Sequence, residues 1–114
     1  MPKQSVRLDG YFKALADPTR RAVVERLSRG PASMSELAGP FAMALPSFAQ
    51  HLDRLEECGL VVSIKTGRVR TYRLVPKSLI AASGWFDTQR AHWEQRLDRL
   101  DAFLLERHPS RRGE

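Results

Sequence analysis

Apolar positions along this chain recur with helical spacing in five segments and with strand spacing in one hairpin. Leu8, Tyr11, Phe12 and Leu15 line one face of a first helix. Asp17-Pro18 restarts the pattern, with Asp17 suited to cap a second helix and Pro18 to occupy its first position. Ala22, Val23 and Leu27 form the buried stripe of that helix, and Gly30-Pro31 ends it. Ser33-Met34-Ser35-Glu36 is spaced as a capping box that opens a third helix. Leu37, Phe41 and Met34 face its core side. Gly39-Pro40 should cut it short, because Pro40 has no backbone N–H to donate.

The fourth helix is predicted from Leu45-Pro46 to Cys58, with Gly59 as its stop. At about 100° per residue, Leu45, Phe48, Leu52 and Leu55 fall on one side, while Ser47, Gln50, His51 and Arg54 gather on the other. Leu60 to Ile64 and Val69 to Val75 read as two strands, joined through Lys65-Thr66-Gly67-Arg68. Pro76 opens a last helical region that reaches about Arg107, with Ser83-Gly84 a candidate break. Phe86, Trp93, Leu97, Leu100 and Leu104 form a seam along it that is longer than a small domain needs for its own core. A second copy of the chain is its expected partner. The expected fold is mainly α with a small β-hairpin, in the order α-α-α-α-β-β-α. Residues 1–107 form a single domain, and residues 108–114 a disordered basic tail.

Composition narrows the function. Nineteen Lys and Arg face 13 Asp and Glu, a net charge of +6, which favours a polyanionic partner. A membrane is not that partner: no apolar run approaches the ~20 residues of a span, and the N-terminal residues lack the apolar centre of a secretory signal. Cys58 is the only cysteine, so no internal disulfide forms and a cytoplasmic location is expected. It follows Glu56-Glu57 at a helix C-terminus, where a thiol is poorly ionised, so it reads as a packing residue. One cysteine and three scattered histidines do not make a structural zinc set. There is no Gly-rich phosphate loop, nucleophile elbow or spaced carboxylate pair, which argues against an enzyme. No metal or cofactor is expected.

The informative stretch is Ser33 to Leu74. It reads as helix, turn, helix and then a hairpin, with no acid between Gly59 and Pro76. That order can set one helix in a DNA major groove and a basic loop on the flanking backbone. Gln50 and Arg54 can make paired contacts to adenine and guanine edges, and Ser47 suits a base or a phosphate. His51 stands open between a phosphate contact and the edge of the core. Lys65, Arg68 and Arg70 are the expected phosphate contacts of the hairpin. Each has a blander explanation: surface helices show polar residues outward, and edge strands carry cations that discourage aggregation. Arg20 and Arg21 could add contacts to the DNA backbone, but are read first as solvated charges. The alternative to a DNA-binding regulator is a protein-interaction adaptor without specific DNA binding. The basic hairpin argues against it. Trp85, Phe86 and Trp93 are read first as dimer core. The sharper idea is that they line a pocket for an unknown small-molecule effector.

Four segments together resemble a winged helix-turn-helix repressor of the ArsR/SmtB type. They are Ala14-Leu15-Ala16-Asp17-Pro18-Thr19-Arg20, Ser35-Glu36-Leu37-Ala38, His51-Leu52-Asp53-Arg54-Leu55-Glu56-Glu57-Cys58-Gly59-Leu60-Val61, and Gly67-Arg68 through Tyr72-Arg73-Leu74. The resemblance covers roughly Leu8 to Val75. It implies a homodimer built on the first and last helices, here through Leu8, Phe12, Phe86, Trp93, Leu97, Leu100 and Leu104. It also implies an inverted-repeat DNA operator and, in many members, release by a metal or another effector. The chain departs from the metal-sensing members: Glu36-Leu37-Ala38-Gly39-Pro40-Phe41 holds no thiol, and Asp87, His92 and His108 are not spaced as a sensing motif. Ala44 and Ala49 stand where relatives often carry serine. Ala44 forgoes an N-cap, a loss of about 1 kcal/mol.

Overall fold

The computed structural model describes residues 3–107, and the expected basic tail at 108–114 lies outside them. The chain divides into two compact units, one running to Ala82 and one from Ser83. In order the elements are α1 (Lys3–Leu15), α2 (Pro18–Leu27), β1 (Ala32–Ser33), α3 (Met34–Ala38), α4 (Leu45–Glu57), β2 (Val61–Thr66), β3 (Val69–Leu74) and α5 (Pro76–Arg107). The helices and hairpin follow the sequence pattern. The two-residue strand β1 was not expected, and it makes the sheet three-stranded, in the order β1-β3-β2. Ala32 and Ser33 pair antiparallel with Tyr72 and Thr71. Two residues are too few to show an alternation, so the sequence carries no strand signal there.

The caps are those the sequence specifies. Asp17 is extended and accepts the Arg20 backbone N–H at 3.0 Å, with Pro18 following. Ser33 and Glu36 form the full reciprocal box: Ser33 Oγ accepts from Glu36 N–H at 3.2 Å, and Glu36 Oε1 accepts from Ser33 N–H at 3.0 Å. α3 ends at Ala38, before Gly39-Pro40. α4 closes in a Schellman motif. Gly59 takes φ +88°, its N–H bonds Glu56 O at 3.1 Å, and the Leu60 N–H bonds Leu55 O at 3.0 Å. Ser78 Oγ, buried in the first turns of α5, donates to Gly59 O at 2.6 Å and ties that corner down.

The core of the first unit draws on every element. Phe48, Leu52 and Leu55 of α4 are wholly buried against Tyr11, Val23, Val24, Leu27, Leu37, Leu60, Val61 and Tyr72. Each such side chain contributes about 1.5–3 kcal/mol through burial. Leu8, Phe12, Met34 and Phe41 pack partly buried at its edge.

Three local expectations need correction. Leu45 does not join the α4 stripe; it is 55% exposed, because the first turn of α4, with Ala44 and Pro46 also exposed, extends beyond the core. On α2, Val24 is buried where Ala22 is only half-buried. Ser83-Gly84 does not break α5, which is helical throughout that pair, and Thr88 Oγ1 bonds Gly84 O at 3.0 Å.

Candidate nucleic-acid interface

The side of α4 away from the core presents what the pattern promised, in two tiers. Ser47, Gln50 and Arg54 are exposed. His51 is half-buried and already engaged: its Nδ1 lies 3.0 Å from Arg20 Nη1 and 3.7 Å from Asp17 Oδ2. A guanidinium only donates, so Nδ1 accepts and the neutral ring carries its proton on Nε2.

Arg20 is therefore not a solvated charge, while Arg21 is exposed and makes one backbone contact. α1 ends without a glycine cap; Lys13 O accepts the Ala16 N–H at 3.3 Å, and the other last carbonyls have no partner within the helix. Arg20 Nε donates to Ala14 O at 2.7 Å and Nη2 to Lys13 O at 3.4 Å, while Arg21 Nη1 donates to Leu15 O at 2.8 Å. Two arginines from the start of α2 thus cap the end of α1, and one of them reaches on to His51. A bond spanning 31 residues leaves no local sequence signal. The carboxyl of Asp17 is raised by partial desolvation, but the Arg20 N–H bond and the positive charge beside it outweigh that and hold it below its ordinary value.

Between α1 and α4 lies an open cleft of about 730 Å³. Gly10, Lys13 and Ala14 form one wall, Arg20 an end, and Ser47, Gln50, His51, Arg54, Glu57 and Cys58 the other wall. All four polar residues predicted on α4 thus meet in one concavity. The helices approach closely at its base, where a Cβ on Gly10 would sit 3.4 Å from Cys58 Cβ. Burial pushes the Cys58 thiol up, and Sγ bonds Leu55 O at 3.4 Å, consistent with a packing role.

On the other flank of α4 stands the hairpin. β2 and β3 pair from Val61↔Leu74 out to Thr66↔Val69, so only Gly67 and Arg68 form the loop. Gly67 has φ +63° and Arg68 does not, as a type II′ turn requires. β2 runs two residues further than expected, to Thr66, while β3 begins at Val69 as expected. Arg68 therefore sits alone at the tip, and Lys65 and Arg70 face each other directly across the ladder. Like charges in that position disfavour the isolated sheet. Arg70 Nη1 donates to Ser63 Oγ at 2.9 Å, and Ser63 Oγ donates to Glu56 Oε2 at 2.8 Å. This relay braces the hairpin against the C-terminal half of α4. Tyr72, beneath it, has its phenol pushed up by burial and by the Glu56 charge.

In the second unit, Phe86, Trp93, Leu97, Leu100 and Leu104 are all exposed in the single chain, as are Trp85 and Phe103. Arg96 lies over the Trp93 ring at 5.0 Å, and Trp85 meets Phe86 edge-to-face. Leu8 and Phe12, expected in the same interface, are partly buried on the core of the first unit. Among the described residues no three His, Cys, Asp or Glu side chains gather as a metal site, and no helix is long and apolar enough to cross a membrane.

Comparison with known proteins agrees with this architecture. A family described as a helix-turn-helix domain matches residues 15–64, which span α2 through most of β2. The HTH-type transcriptional regulator Rv2034 of Mycobacterium tuberculosis is 44% identical over 73 residues, covering 64% of this chain and 68% of that protein. The transcriptional repressor SdpR of Bacillus subtilis is 28% identical over 78 residues, covering 68% and 87%. The crystal structure of the ArsR family transcriptional regulator RHA00566 superposes with a TM-score of 0.76 at 51% identity, covering 82% of this chain and 97% of that one. With the capped α3, the polar-faced α4 and the two-stranded wing in the same order, the chain belongs to the ArsR family of winged helix-turn-helix transcriptional regulators.

Proposed function

We propose that this regulator is a homodimeric DNA-binding repressor that sets α4 in the major groove of an inverted-repeat operator and lays its wing on the flanking backbone. The observation that carries this reading is the two-sided dressing of α4. Its outer side offers Ser47, Gln50 and Arg54 to base edges, and the adjoining wing holds Lys65, Arg68 and Arg70 with no acid between Gly59 and Pro76. The direct Lys65–Arg70 opposition supports it, since it gathers positive charge on one face of the wing. Leu45 and Pro46, exposed at the N-terminal end of α4, suit thymine methyl groups and join the contact surface. Recognition helices reach base edges mainly through their N-terminal residues. The exposed apolar seam of the second unit supports association with a second copy. Reading DNA implies a cytoplasmic location.

Two substitutions test the division of labour. Arg54→Ala should cost about 1–3 kcal/mol and relax preference among operator variants. Arg68→Ala should weaken every duplex alike and lower the salt slope by about one. Unchanged binding by either variant removes that residue from its assigned role.

A further inference from the structure

The cleft between α1 and α4 has a lining that is mostly donors. Lys13, Arg20 and Arg54 bring three cations against the single carboxylate of Glu57, with Ser47, Gln50 and the His51 ring between them. Asp17 lies beside His51, but its carboxylate is taken up by the Arg20 N–H. Arg20 holds His51 Nδ1 as an acceptor, so the ring's remaining polar atom is an Nε2–H donor. The Lys13 and Arg54 side chains make no hydrogen bond or ion pair with other described residues. A concavity with a free ammonium and an imidazole N–H side by side suits an oxyanion with several acceptor oxygens.

We infer that the α1–α4 cleft is a phosphate site, in which Lys13 and the Nε2–H of His51 hold a phosphodiester of the DNA strand on the side of α4 opposite the wing, while Arg54 at its rim stays with the bases. Arg20 is its positioning residue: it touches no phosphate but fixes which imidazole nitrogen donates. The inference rests on the reading of α4 as the groove-bound helix. On that reading the helix is gripped through the backbone on both flanks, by the cleft on one and by the wing on the other.

The test uses the full chain, a random-sequence duplex, and inorganic phosphate. Lys13→Ala keeps the backbone carbonyl that Arg20 uses and should leave the fold intact. It should weaken binding to the random duplex and lower the slope of log K against log[salt] by about 0.9, the value for one lost phosphate contact. Nitrogen NMR of the His51 ring should report the Nε2–H form in the free protein and a shift of that proton on adding duplex. Arg20→Lys should let the ring populate both tautomers, whereas a purely structural arginine would leave them unchanged. An unchanged Lys13→Ala slope, or a His51 ring that ignores the duplex, overturns the proposal. If Arg68→Ala still lowers the slope in that case, the groove-binding reading survives and the cleft alone is refuted. A wild-type chain that binds no duplex at low salt refutes both. Saturable His51 shifts with millimolar inorganic phosphate, but none with duplex, identify a free phosphoryl ligand as the source and overturn the DNA-backbone assignment.

Discussion

Replacing Ala44 with serine should stabilise this protein, and the structure gives the size of the gain. Ala44 already has the extended backbone of an N-cap (φ −61°, ψ 139°), and its carbonyl accepts the first helical bond, from Phe48 N–H at 3.0 Å. What is missing is a side-chain acceptor for the N–H of Ser47, three residues on. Pro46 has no N–H, so that donor is one of the few left open at this end. Elsewhere in the chain the same geometry is filled: Ser33 Oγ accepts the N–H of Glu36 at 3.2 Å. Supplying the hydroxyl at position 44 should therefore add about 1 kcal/mol. For a cooperative unit of this size that is a rise of roughly 4–8 °C in Tm at fixed protein concentration. Ala44→Asp should match or exceed it, because a carboxylate at a helix N-terminus also gains about 0.3–1 kcal/mol from the helix dipole. The two variants should part on DNA: on the function proposed above the aspartate puts a negative charge beside the groove, so it should bind duplex more weakly than the parent, while the serine should not. Urea denaturation followed by circular dichroism reads the stability. An unchanged midpoint for both variants would show that the α4 N-terminus does not hold this geometry.

Other outcomes follow from the same contacts. The Ser33 N–H and hydroxyl hold the Glu36 carboxyl below its ordinary 4.5, so the stability it gives is present above that pH and is lost as pH falls through the lowered folded value. Glu36→Gln should accordingly flatten the acid side of the stability–pH profile, and an identical profile would contradict the box. Trp93→Ala should shift the protein from dimer toward monomer in sedimentation velocity while leaving the first unit folded, since Trp93 is 59% exposed and absent from the core. An intact dimer would remove Trp93 from the proposed interface.

Much of this was legible in the sequence because the signals are local. Asp17-Pro18, the Ser33–Glu36 box and the Gly59 stop each act within a few residues, and each is found as read. The stripe of Phe48, Leu52 and Leu55 follows from helical period alone. What escaped depends on contacts distant in the chain or on where the core ends. Periodicity placed Leu45 on the stripe but could not show that the first turn of α4 outruns its neighbours. The Arg20–His51 bond and the Arg70–Ser63–Glu56 relay join separate elements, and the first turns a presumed surface charge into a structural one. The strand β1 is recruited by β3 rather than by any propensity of Ala32-Ser33.

On the proposed function, α4 and the wing read a specific duplex. The most direct measurement is binding of the purified protein to a labelled duplex from its own upstream region, against a scrambled duplex of equal length, at two salt concentrations. Binding should be tighter to the native duplex, with both affinities falling as salt rises. Equal affinity for the two would contradict base readout at that site, and binding to neither at low salt would contradict the DNA-binding function itself.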